Sequence, residues 1–282
     1  MSESNLLPRI FVIIVAIPLV LLIIFLQIPY SILFALFLLL LCILSSNEYV
    51  DLLLNVDHDL NKIVFMIQTI LIYLLTYLYS LNIINLFPFF IIVLFIVMLT
   101  TIFYLFKKEI ALSFQNLVFH IYGFFYIVFP LSFALWFYIN FKYSAALFLI
   151  FLIIVWSSNI FGYLFGLFWL PRKSLNLPVS PNKSLKGFIG AILFGTLIPF
   201  LLNLFIKDFF KLNIGNLNSF ILIFITNIFS IIGDLLESGL KRFCKAKDSS
   251  NKFKGFGGIL DMIDSILFAF PFFALILLFF LK

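Results

Sequence analysis

The chain has 282 residues, of which 65% are hydrophobic and 11% charged, with 42 phenylalanines, a mean hydropathy of +1.25 and a net charge of +6. These values exclude a soluble domain with an anchor and place the chain in the all-α class, as a polytopic membrane bundle whose helices pack by shape and small residues because lipid is as apolar as they are. Two cysteines, Cys42 in an apolar run and Cys244 in a charged loop, form no disulfide framework. The bases alternate with spans and face a membrane surface, which points to lipid and nucleotide phosphates and away from nucleic acid.

Taken from the N-terminus, MSESNLLPR has neither a basic leader region nor a small-residue cleavage site after it, so a retained first span is expected. Runs near the roughly twenty residues needed to cross a bilayer occur at 9–26, 28–45, 63–81, 84–106, 117–139, 144–170, 185–206, 218–238 and 259–281. Nine spans are therefore expected, with only Gln27 and Pro29 marking the break between the first two. Under that count 14 of the 18 bases fall on one side, which the positive-inside rule assigns to the cytoplasm; in a bacterium the membrane would be the inner one. A cysteine at position 249 would report that sidedness.

Glycine divides the chain. Gly123 alone precedes residue 160, and the other eleven glycines fall at or after Gly162, where backbones turn or approach closely. The expectation is a single domain, 1–282, with scaffold spans in 1–143 and the working half in 144–282. Between the second and third runs, SSNEYVDLLLNVDHDLNK reads as an amphipathic loop. Tyr49 there suits an interfacial helix at headgroup level as well as it suits a role in substrate entry. His58 and His120 read as structural.

Ahead of the seventh run stands Ser180-Pro181-Asn182-Lys183-Ser184, followed by Gly187. A Ser-Pro turn, a lysine and a glycine-bearing helix start would offer a hydroxyl, backbone N–H groups and a cation to a phosphate. A helix cap with a positive-inside lysine is the alternative. Gly187, Gly190 and Ala191 share a helical face and suit close packing.

The densest charge lies in Gly233–Ser265, which holds five of the twelve acids and six of the eighteen bases. If the eighth helix continues through Leu240, Asp234, Ser238 and Lys241 share a face at i, i+4 and i+7, and Asp261 and Asp264 share one at the start of the ninth. One helix leaves the bilayer where the other enters, so the three aspartates should lie at one depth. With bases in the connecting loop they make a site for a hard cation and phosphates. Interfacial ion pairs with Lys241 and Arg242 are the alternative. Gly257 and Gly258, with Gly255, read as a flexible approach to the ninth helix, whose N-terminus favours an anion.

The run Ser238, Leu240, Lys241, Arg242, Lys247, Asp248, Ser250, Phe253, Gly257, Gly258, Ile259, Asp261, Ile263, Asp264 resembles the signature of phosphatidate cytidylyltransferases. The Ser180–Gly187 segment resembles a second motif of that family, and Glu48-Tyr49 a Glu-Tyr pair that it often carries. This chain departs from the family pattern at Asn159, Lys186, Lys254, Phe256 and Met262, where Asp, Glu, Pro or Gly, His and Arg are usual. The resemblance implies transfer of a cytidylyl group from CTP to phosphatidic acid in phospholipid synthesis. On it, Asp234, Asp261 and Asp264 are expected to hold Mg²⁺, with room for a second cation, and Ser238 stands beside them. Ser180, Lys183, Lys241, Arg242, Lys247, Asp248, Gly257 and Gly258 would bind substrate. The expected partners are CTP, phosphatidic acid and the bilayer, with a homodimer left open. A CTP-dependent lipid-alcohol kinase and a non-catalytic or transport relative are the alternatives.

Overall fold

The computed structural model describes residues 6–26, 29–56, 58, 60–105, 109–168, 174–181, 183–210, 214–252 and 257–280. Among them the chain forms nine helices: α1 (Leu6–Phe25), α2 (Ile32–Leu54), α3 (Lys62–Ser80), α4 (Leu86–Leu105), α5 (Ile110–Asn140, with a π turn at Phe124–Val128), α6 (Ser144–Phe168), α7 (Leu185–Phe209), α8 (Asn216–Phe243) and α9 (Ile259–Phe280). The β structure described is confined to isolated bridges. Helices α2 to α9 are each long and apolar enough to cross a membrane. The architecture is that of a polytopic helical membrane protein.

Each apolar run corresponds to one helix, but two ends differ from the sequence reading. α2 continues to Leu54, so Glu48 and Tyr49 lie inside a buried helix rather than in an interfacial loop. Both are within 1% of complete burial. α8 likewise continues past Asp234 and Leu240 to Phe243.

The chain groups into two compact units, Met1–Asn140 with Phe243–Met262, and Phe141–Arg242 with Ile263–Lys282. The first unit thus includes the described part of the charged loop.

In the first unit, three buried tyrosines donate to backbone carbonyls, which satisfies hydroxyls where no water competes. Tyr73 donates to Ala35 O, Tyr138 to Ile24 O and Tyr49 to Phe119 O, each at 2.7 Å. The Tyr49 ring lies where a Cβ on Gly123 would stand, immediately before the π turn of α5. His120 is fully buried between Gln68 and the Tyr104 hydroxyl, in keeping with a structural histidine. α4 presents nearly all its side chains outward, burying Thr100 and Tyr104.

In the second unit, α6 and α7 meet through small residues. A Cβ on Gly187 would come within 2.7 Å of Gly162 O and 3.3 Å of Gly166 Cα, so this packing depends on glycine. Asn227 of α8 ties on by donating to Ala191 O, Ile192 O and Thr196 Oγ1 at 3.0–3.1 Å. α8 and α9 close on each other at Gly233, where a Cβ would stand 2.9 Å from Asp264 O. Below that point Phe229 stacks on Phe272 with ring centroids 3.6 Å apart.

Candidate active site

Each unit carries one charged constellation. The one in the second unit begins with the segment before α7, which folds back on itself through antiparallel bridges Ser174–Ser184 and Leu177–Ser180. Ser180 N donates to Leu177 O at 3.0 Å and Lys183 N to Ser180 O at 3.2 Å. Ser184 then caps α7 by accepting from Gly187 N at 3.1 Å. This turn packs Val179 against Gly239 of α8 and places the Lys183 ammonium on the Asp234 carboxylate. Both groups keep partial access to solvent, with side-chain exposures of 23% and 40%.

One turn along α8, Lys241 pairs with the fully buried Glu237. Asp264 of α9 is buried as well, accepts from Ser265 N, and lies near enough to Asp234 for the two charges to repel, with Lys241 opposing that repulsion. Ser238 is half-buried and Arg242 exposed at the end of α8. Sequence spacing put Asp234 and Lys241 on one face, and α8 continues far enough for that. The ion partner of Asp234 nevertheless comes from Lys183, 51 residues away.

In the first unit the loop after α8 is organised by two carboxylates. Asp261 Oδ2 accepts from Ser249 N at 2.7 Å, Ser249 Oγ at 2.7 Å and Gly258 N at 2.8 Å. Reaching back from the third position of α9 to the N–H before the helix, Asp261 acts as the returning arm of a capping box. Glu48 of α2 accepts from Leu260 N and Ser250 Oγ, each at 2.9 Å, while Ser249 Oγ, whose one proton goes to the nearer Asp261, lies 3.1 Å away and Lys252 Nζ 3.3 Å away. Lys247 and Asp248 are exposed on this loop.

Gly257 and Gly258 have a specific reason here, beyond the flexibility read from the sequence. Gly257 sits at φ +84°, and a Cβ on it would run into Asp261. A Cβ on Gly258 would strike the Glu48 carboxylate and Ser249 Oγ. Neither Glu48 nor Glu237 was assigned to the site from the sequence. The readable signals for them were a carboxylate between two long apolar stretches and an i, i+4 acid–base pair. Of the departures, Asn159 is exposed on α6, Lys186 and Met262 are half-buried, and Lys254 and Phe256 lie outside the described residues, as do Phe253 and Gly255.

For a metal, the relevant donors are Asp234 and Asp264, two repelling carboxylates with cations beside them. Asp261, expected as a third metal carboxylate, is engaged by the loop's N–H and hydroxyl groups. Among the described residues no group of three or more His, Cys, Asp or Glu side chains is placed to hold a metal by itself. The donor set fits a hard cation of the Mg²⁺ type, which is commonly held by one or two carboxylates together with substrate phosphates.

The chain matches the model of the "Cytidylyltransferase family" over residues 7–280. Over 122 residues it is 39% identical to the phosphatidate cytidylyltransferase of Staphylococcus haemolyticus (strain JCSC1435) and 40% identical to that of Staphylococcus aureus (strain COL). Each alignment covers 42% of this chain and 44% of the relative, so the chain spans under half the length of the relatives it matches.

Proposed function

The chain belongs to the cytidylyltransferase family, and from that premise we propose that it transfers the cytidylyl group of CTP to phosphatidic acid, giving CDP-diacylglycerol and pyrophosphate. A phosphate oxygen of the lipid attacks the α-phosphorus of CTP. The bond from that phosphorus to the oxygen bridging to the β-phosphate breaks, and pyrophosphate leaves with the charge. No protein nucleophile is needed, because the substrate phosphate is one. The reaction needs two polyanions held together and the growing charge on the leaving group neutralised.

The observation that carries this reading is the pairing of Lys183 with Asp234, beside the buried Asp264, within otherwise apolar helices. An ammonium that rests on a carboxylate can move to a phosphate when substrate arrives, leaving the carboxylate for a cation. Asp234 and Asp264 would hold Mg²⁺, which supplies positive charge to the phosphates when bound. Ser180 and Ser238 stand by with hydroxyls. Lys241 and Arg242 at the end of α8, and Lys247 on the loop with Asp248 beside it in sequence, neutralise CTP or lipid phosphates. Gly257 and Gly258 shape the backbone that leads into α9. The excess of bases on one side supports a cytoplasmic setting for these loops.

The test is an assay of purified protein with phosphatidic acid, Mg²⁺ and CTP labelled at either the α- or the γ-phosphate. Label from the α-position should enter the lipid, and γ-label should leave as pyrophosphate. In a parallel reaction with a polyprenol in place of phosphatidic acid, γ-label in the lipid with release of CDP would make the protein a lipid-alcohol kinase. No label in lipid from either position would leave a binding or transport role.

A further inference from the structure

Glu48 is a fully buried carboxylate to which the family resemblance assigned no more than a place beside Tyr49. It lies on α2, yet its four polar partners among the described residues, Ser249, Ser250, Lys252 and Leu260, belong to the segment that carries Lys247, Asp248 and Asp261. A carboxylate is acceptor-only, and the Leu260 N–H, the Ser250 hydroxyl and the Lys252 ammonium present donors to its two oxygens. Oε2 receives Leu260 N–H, one of the open amides in the first turn of α9, and faces the Ser249 hydroxyl. Oε1 receives Ser250 and faces the Lys252 ammonium. The charge also sits where a helix N-terminus favours an anion. Gly258 has no room for a Cβ because the same Oε2 and Ser249 Oγ stand there.

We propose that Glu48 is a positioning residue that holds the loop 249–252 and the first turn of α9 in one conformation, and that Gly258 lacks a side chain to let it do so. Ser249 links the two supports, since its hydroxyl lies 3.1 Å from Glu48 Oε2 and 2.7 Å from Asp261 Oδ2. Residues 249–250 and 258–260 are thus held from two carboxylates, one their own segment's and one from α2. The functional consequence, a correctly placed set of phosphate-binding groups, rests on the cytidylyl-transfer reading. The conformational claim stands without it.

Glu48→Gln keeps the shape but turns one acceptor oxygen into an NH₂ facing donors. Hydrogen exchange on the full-length protein in detergent should then accelerate at Ser249, Gly258 and Leu260 by at least ~10-fold, while amides inside α3 and α7 keep their wild-type rates. Cytidylyl transfer should fall by a similar factor, roughly 10-fold or more. Unchanged exchange at those three amides overturns the proposal, and so does equal acceleration in all helices, which would mark Glu48 as a general stabiliser. If Glu48→Gln does not yield folded protein, Ser250→Ala removes one partner. It should give the same local acceleration at smaller size, roughly 3-fold, and no change there is equally fatal. A wild-type protein with no transfer activity would remove the functional reading while leaving the exchange result to decide this one.

Discussion

At Asp234 in the second unit the partner is an ammonium on a flexible four-carbon stem, and both groups keep some contact with solvent. At Asp261 in the first unit the partners are two backbone N–H groups and a hydroxyl, converging on one oxygen at 2.7–2.8 Å. Both are helical aspartates, Asp234 in the second half of α8 and Asp261 in the first turn of α9, and both fall in a motif of the kind that reads as a ligand site. They differ in what they can give up. An ion pair between side chains exchanges for a phosphate or a cation at little conformational cost. A carboxylate that satisfies buried N–H groups cannot leave without orphaning them, at about 1–3 kcal/mol each. Asp234 thus keeps a partner that it can exchange, whereas Asp261 is tied to the backbone it supports.

The largest expected effect breaks the first side of that comparison. Asp264→Asn or Asp234→Asn should lower turnover by at least ~10²-fold, the scale at which a charge-stabilising group is missed. Asp264→Asn also removes a repulsion between like charges, so its thermal midpoint should hold or rise. Near-normal turnover in both would withdraw these residues from the metal and phosphate role.

Gly258→Ala tests the other side. Its Cβ would displace Glu48 and Ser249, and overpacking of this kind costs about 1–3 kcal/mol. A drop of several degrees in the unfolding temperature is expected, with Asp264→Asn as the contrasting control. A midpoint equal to wild type would mean that the loop does not depend on the close approach of Glu48.

The smallest perturbation concerns which side of the membrane the loop faces. Position 249 is unsuitable as a probe because Ser249 is buried and triply engaged, so Lys247→Cys on the exposed part of the loop replaces it. An impermeant maleimide should label the introduced thiol from the cytoplasmic side alone. Cys244 should stay silent at pH 7.5, because burial pushes its thiol up to about 11 and leaves it protonated below that pH. Labelling of the Lys247→Cys variant from the opposite side would invert the topology.

The number and order of the helices were legible because a bilayer of fixed thickness demands apolar runs of fixed length, and each run from 28–45 onward met that demand. Where helices ended was less legible. Composition marks where hydrocarbon stops, not where a helix does, so α2 carried Glu48 and Tyr49 inward and α8 ran on through Lys241 and Arg242. Local spacing was enough to put Asp234, Ser238 and Lys241 on one face and to mark the 180–187 segment as a companion motif. Spacing had no way to pair Lys183 with Asp234, or to bring Glu48 to Ser249 across 201 residues. Helical periodicity relates residues within one element, whereas a carboxylate's partners are set by which backbones pack close enough to reach it. The meaning of Gly258 belongs to that second kind of information: the glycine is visible in the chain, but the carboxylate that requires it arrives only with the fold.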